Sequence, residues 1–160
     1  IGLGIPAEPL FRSSYTILDL EAADCKQVME HMAGIFLEKG YVKDSYLGAL
    51  MEREEKYPTA IPLPVESVAI PHTMPEHIVR EFIAPIRLAH PVEWGEMSDP
   101  STTTPVRMIF MLGLLGKEHI ELLQVLVHNF QRQEWLDKLA AAKTEDEFYD
   151  AVMELEWKVI

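Results

Sequence analysis

The run PVRMIFMLGLL, Pro105–Leu115, decides how this chain is built. Its apolar residues are nearly continuous, where a strand with one wet face would alternate. That is the pattern of a central strand covered on both faces. The run has the length of a strand, far short of the ~20 apolar residues a membrane helix needs. Past Gly116 the period changes: in KEHIELLQVLVHNF, the residues Ile120, Leu123, Val127 and Phe130 form one helical stripe. Upstream, EFIAPIRLAHPVEW (81–94) is rich in strand formers but carries Pro85, which favours an edge position or a bulge. The polar, breaker-rich GEMSDPSTTT between them reads as a loop.

Further out, SVAIPHTMPEHI (Ser67–Ile78) holds a short strand, Val68–Ile70, that stops at Pro71 and delivers His72 straight into a loop. Before it, Pro58, Pro62 and Pro64 make 58–65 an extended connection. VKDSYLGALMEREEK (42–56) reads as a helix, with Asp44 or Ser45 to cap it and Leu47, Leu50 and Met51 as its apolar face. In 22–39, Cys25, Val28, Met29, Met32, Ile35 and Phe36 form another helical stripe, closed by Gly40. YTILDL (15–20) is a candidate strand. Two more helices are expected at 133–142 and 145–154, the second capped by Thr144 with Glu147 three residues on. Residues 1–14 read as a loose lead, and 15–156 as one domain. The order of elements predicts a single-domain α/β fold, a mixed sheet flanked by helices, and not a strictly alternating βαβ array.

Composition narrows the function. The chain has 160 residues and carries 14 Lys+Arg against 26 Asp+Glu, a net charge of −12. Such acidity repels nucleic-acid phosphates and anionic membranes, and no basic cluster offsets it. Any anion handled here needs its own local cations. The single cysteine, Cys25, precludes an intrachain disulfide and fits a reducing compartment. The first residues lack the basic and long apolar regions of a signal peptide, so a cytoplasmic protein is expected.

Three residues stand out chemically. His72 leaves a strand end through a proline, and a neutral imidazole is a competent nucleophile without a separate base. Taken alone, the Pro-His pair is more often a turn histidine than a nucleophile. His119 lies in the first turn of the helix that follows the strongest strand. Anion sites gather at such places, because unpaired N–H groups point outward there. The two histidines meet if their strands are neighbours. Arg53 stands among Glu52, Glu54 and Glu55, where an exposed i,i+4 ion pair is the ordinary role and a forked donor to a phosphoryl group the functional one. His77 and His90 leave a weak zinc reading, since His72 and His77 are five apart and no cysteine lies nearby. No glycine-rich phosphate loop, nucleophile elbow or nucleotide fingerprint is present. A presented histidine without a nucleotide site points to phosphoryl relay between proteins.

The ordered set Glu52-Arg53-Glu54, then Val68-Ala69-Ile70-Pro71-His72, then Glu118-His119 resembles the enzyme IIA domains of the bacterial phosphoenolpyruvate-dependent sugar phosphotransferase system (PTS), fructose/mannitol type. The resemblance runs from about Tyr15 to Glu154. It implies that His72 accepts a phosphoryl group from the phosphorylated carrier HPr. His72 then passes it to a cysteine of a cognate IIB domain, which phosphorylates the sugar entering through a membrane IIC component. It further implies that His119 sits beside His72, that Arg53 helps hold the phosphoryl group, and that no metal or other cofactor is used. Two docking partners imply an apolar rim near His72, for which Met74 and Ile78 are candidates.

The chain departs from the family pattern in two places. Ser67 stands where the family often has glycine, and Lys117 where it often has asparagine; neither removes a chemically needed group. The YPTAI segment (57–61) and the Pro62 loop look closer to the galactitol branch, whereas His119 is less typical of it. The alternative reading is a regulatory IIA-like protein that signals through His72 without a transporter.

Overall fold

The computed structural model describes Phe11, residues 16–116 and residues 119–157, the side chain of His119 excepted. Its elements are β1 (Ile17–Leu20), α1 (Cys25–Glu38), α2 (Tyr46–Lys56), β2 (Ala60–Ile61), β3 (Ser67–Ala69), β4 (Phe82–Gly95), β5 (Thr103–Gly113), α3 (His119–Phe130), α4 (Gln133–Ala141) and α5 (Glu145–Val152). The five strands form one mixed sheet in the order β1-β4-β5-β3-β2.

β5 is the central strand that its apolar run requires. Met108, Phe110 and Leu112 enter one buried cluster with residues of α3, α4 and α5. Ile109 and Met111 enter the opposite cluster with residues of α1 and α2. Alternate side chains of one strand thus feed two cores, and burial on both faces accounts for the apolar residues from Met108 to Leu112. The expected α/β sandwich is observed.

The helices begin where local chemistry allows. Asp24 caps α1 by accepting the Gln27 N–H at 2.9 Å, and Thr144 caps α5 by accepting the Glu147 N–H at 3.1 Å. Gly40, just past α1, has φ +77°, a left-handed conformation that glycine adopts without a Cβ penalty. Ser45 precedes α2 but makes no side-chain cap bond. Its hydroxyl lies instead 2.8 Å from His77 Nδ1.

Four expectations need correction. Pro85 does not mark an edge: β4 lies between β1 and β5, and Pro85 sits opposite Phe110. On the opposite side of β4 the pairings are at Ile83 and Ile86, and Pro85 falls between them. The β4 irregularity lies between Arg87 and Val92, around the second proline, Pro91. The stretch 58–65 is not wholly a loop, because Ala60–Ile61 pairs with β3 as the short edge strand β2. Ile78 is buried in the core at 3% exposure and cannot form an apolar rim. Phe11, within the stretch 1–14 read as a lead, is fully buried and forms a parallel bridge to Ile83.

Gly113 ends β5 directly opposite Phe82 of β4. A Cβ there would lie 2.2 Å from the Phe82 ring, which is fully buried and stacked 4.0 Å from the Phe36 ring. Backbone and ring cannot both yield cheaply in a packed core. Gly113→Ala is therefore expected to destabilise the fold by about 2–3 kcal/mol, measured by urea denaturation.

Candidate functional site

β3 and β5 are neighbours and run parallel, with Val68 opposite Met108 and Ala69 opposite Ile109. The chain therefore leaves both strands at the same end of the sheet. Beyond β3 the pairing continues as a single parallel bridge, His72 to Leu112, with the Leu112 N–H donating to the Pro71 carbonyl at 3.0 Å. His72 is thus held against the last turn of strand structure in β5, and α3 begins at His119 just beyond. The adjacency on which a meeting of the two histidines depends is present. Glu118 and the His119 side chain lie outside the described residues.

His72 is buried, at 8% exposure. Its Nδ1 lies 2.7 Å from the carbonyl oxygen of Ile70. A carbonyl only accepts, so Nδ1 carries the proton and the neutral ring has its lone pair on Nε2. The proline makes this geometry natural. Pro71 fixes its own φ and keeps Ile70 extended, so the Ile70 carbonyl is turned toward the ring two residues on.

Arg53 lines a cleft of about 220 Å³ whose wall includes Thr73 and Met74, the two residues after His72. Its guanidinium contacts Met74 Sδ at 3.9 Å and lies 5.8 Å from the Tyr57 ring centroid. It forms no ion pair of its own among the described residues; the i,i+4 pair of this helix is Glu52–Lys56 at 3.0 Å. The Arg53 Nε is buried with no hydrogen-bond partner among the described residues. A forked cation that lines a cleft without an ion pair of its own suits an anion. Lys56, His77 and Glu52 line the same cleft, with the Lys56 ammonium paired to Glu52. No group of three His, Cys, Asp or Glu among the described residues is placed to hold a metal ion.

Apolar surface is available on the other flank. A wide hollow of about 510 Å³ is lined by Ile70, Met97, Ile120, Leu123 and Val127. Ile120 is 65% exposed, and Met97, Val127, Met74 and Leu115 also show substantial area to solvent. These residues, with Met74 among the two named from sequence, supply the apolar surroundings.

Sequence reasoning missed Glu54. Read as part of an acidic, solvated face, it is in fact buried at 7% exposure. Its carboxylate accepts the Thr59 N–H at 2.6 Å, the Thr59 hydroxyl at 3.0 Å and the Trp94 indole N–H at 2.9 Å. A signal existed, since Tyr46, Leu50 and Glu54 are spaced by four and all lie on the buried face of α2.

Burial pushes the Glu54 carboxyl up from its ordinary 4.5, against the Trp94, Thr59 and Arg53 interactions that favour the charged form. Since the folded protein then holds this proton more tightly than the unfolded chain, stability falls as pH rises from 4.5 toward the raised folded value, and is flat above it. The stability difference between the native chain and Glu54→Gln is expected to move against the native chain across that window. The slope is at most about 1.4 kcal/mol per pH unit, read from urea denaturation at several pH values.

Comparison with known proteins gives a consistent set of relatives. The family profile described as "Phosphoenolpyruvate-dependent sugar phosphotransferase system, EIIA 2" matches residues 9–154. The galactitol-specific EIIA component of Escherichia coli is 27% identical over 116 residues, covering 72% of this chain and 77% of the relative. The mannitol-specific enzyme IIA component of Staphylococcus aureus is 24% identical over 144 residues, covering 86% and 91%. Among solved structures, the Escherichia coli complex of enzyme IIA-Mtl with phosphorylated enzyme IIB-Mtl aligns with a TM-score of 0.73 at 21% identity, covering 90% of this chain and 99% of that one.

Proposed function

Because the chain belongs to the EIIA 2 family of the phosphoenolpyruvate-dependent sugar phosphotransferase system, and so is a phosphoryl-carrying IIA component, we propose that His72 is its phosphoryl acceptor. On this reading phospho-HPr is the donor, and a cysteine of a cognate IIB domain the acceptor. That domain then serves the uptake of a sugar or sugar alcohol through a membrane IIC component. The mannitol relative whose structure was solved with phosphorylated IIB supports the IIB assignment. Among the described residues no helix is long and apolar enough to cross a membrane. On this reading the component works in the cytoplasm, beside its transporter.

The observation that carries the proposal is the tautomer of His72, with the Nδ1 proton held by Ile70 O at 2.7 Å. In the transfer, the Nε2 lone pair attacks phosphorus, the new N–P bond forms, and the donor's N–P bond breaks as its electrons return to the donor ring. No proton need leave His72. The phosphorylated ring keeps its Nδ1 proton and becomes cationic, and the Ile70 carbonyl then stabilises a charge rather than a dipole. A cationic ring is also the better leaving group for the second transfer, in which the N–P bond breaks and a P–S bond forms to the deprotonated IIB thiol.

The transition state for such transfers is loose, so catalysis is chiefly positioning and charge stabilisation. Arg53 supplies this from the adjoining cleft. The first turn of α3, with His119, adds outward-pointing N–H groups. Local donors matter especially in a chain of net charge −12. The exposed apolar residues near the site fit weak, transient docking of two successive partners, on the order of 1,200 Å² or less each.

Incubation with phosphoenolpyruvate, enzyme I and HPr is expected to label the chain with acid-labile, alkali-stable phosphate. His72→Ala should take up none, and undiminished labelling of that variant would refute the assignment. Arg53→Ala is expected to fold normally and to slow transfer about 10- to 100-fold, the loss of one charge-assisted hydrogen bond. Rapid-quench kinetics from phospho-HPr measure it.

A further inference from the structure

We propose that Glu54 and Thr59 are positioning residues for His72: the buried carboxylate orients a hydroxyl, the hydroxyl holds Ile70, and Ile70 holds the imidazole in its Nδ1–H tautomer. The proposal rests on the reading of His72 as phosphoryl acceptor, and it adds a device that sets which ring nitrogen attacks.

The links are continuous. The Thr59 hydroxyl donates to Glu54 at 3.0 Å and accepts the Ile70 N–H at 3.2 Å. The Ile70 carbonyl accepts the His72 Nδ1–H at 2.7 Å. The groups lie on α2, on the residue before β2, and on the residues just after β3.

Sheet geometry explains why side chains do this work. β2 pairs Ala60 with Ala69 and Ile61 with Val68, so the next position places Thr59 beside Ile70. There the ladder stops, because the Thr59 N–H turns away to Glu54 at 2.6 Å. On the other side, named β3–β5 pairing ends at Ala69 and resumes only at His72. Ile70 therefore falls in a gap between ladders, and the Thr59 hydroxyl takes its N–H. A hydroxyl can rotate, and only an acceptor on its far side fixes the direction of its lone pairs. Glu54 is that acceptor, itself fixed by the Trp94 indole N–H at 2.9 Å.

The chemical consequence is specific. A free neutral imidazole populates both tautomers, and only the Nδ1–H form has its lone pair on Nε2. If Ile70 tilts, the carbonyl loses alignment with Nδ1 and the reactive fraction of the ring falls. Glu54 is also the neighbour of Arg53 in α2, so the same anchor fixes the helix turn that carries the guanidinium.

The test uses the full chain, with nitrogen-15 NMR of the His72 ring and rapid-quench transfer from phospho-HPr. The native chain should show the Nδ1–H tautomer. Thr59→Val should show a mixture and transfer at least about tenfold more slowly, with the label still on His72. Thr59→Ser, which restores the hydroxyl, should return both to within about twofold of the native chain. A folded Thr59→Val with an unchanged tautomer and rate overturns the proposal, as does a native ring protonated on Nε2. If Thr59→Val does not fold, Thr59→Ala decides: it removes the hydroxyl without adding bulk, and an unchanged tautomer there overturns the proposal equally. Failure of the acceptor reading is seen separately, as a native chain that phospho-HPr does not label, whatever the tautomer.

Discussion

The parallel pairing of β3 with β5 is the constraint from which the site follows. Parallel neighbours end at the same edge of a sheet, so whatever follows them is gathered there. Here the followers are the Ile70-Pro71-His72 turn and the start of α3. β5 can serve as this fixed reference because its side chains are buried on both faces, in two separate cores. A strand so held has little freedom to slide, since a shift of one residue would exchange the two faces. The one-residue bridge from His72 to Leu112 inherits that rigidity.

Around this reference the chain uses polar contacts sparingly and in depth. Arg87, at 4% exposure, donates to the carbonyls of Leu139 and Ala140 at 3.0 and 2.9 Å and pairs with Asp19 at 3.1 Å. It thereby ties β4 to the end of α4 and to β1. Glu54 plays the corresponding part on the other face, joining α2 to the start of β2 and to β4. Buried charges are costly unless each is fully hydrogen-bonded, and both of these are surrounded by donors or acceptors of the right kind. Each marks a point where helices are locked to the sheet.

The arrangement divides labour within one helix turn. Glu54 points inward and is consumed by Thr59 and Trp94; Arg53, one residue earlier, lines the cleft. An acidic chain can hold a cation available for an anionic ligand only if neighbouring carboxylates are otherwise engaged. Glu52 is engaged with Lys56 at 3.0 Å, and Glu54 with three neutral donors. Arg53 is left without a competing ion pair among the described residues, and that makes it serviceable.

By itself the sequence determined what depends on periodicity and local chemistry: β5 from its nearly continuous apolar run, the helices from their stripes and caps, and the release of His72 from the proline that ends its strand. The family followed from three short motifs in order. Only the tertiary structure decided what depends on partners distant in the chain. Ala60–Ile61 is a strand because β3 lies beside it, and nothing in a two-residue segment between prolines announces that. Pro85 sits in an interior strand, between the pairings that Ile83 and Ile86 make on the side away from β5. Ile78 is core because a helix and a sheet close over it. Glu54 looked like one of three equivalent acids, and its burial became visible only when Thr59, 5 residues on, and Trp94, 40 residues on, came to meet it. Hydrogen bonds between residues far apart in sequence leave no period behind, and so the support of the site was legible only in the fold.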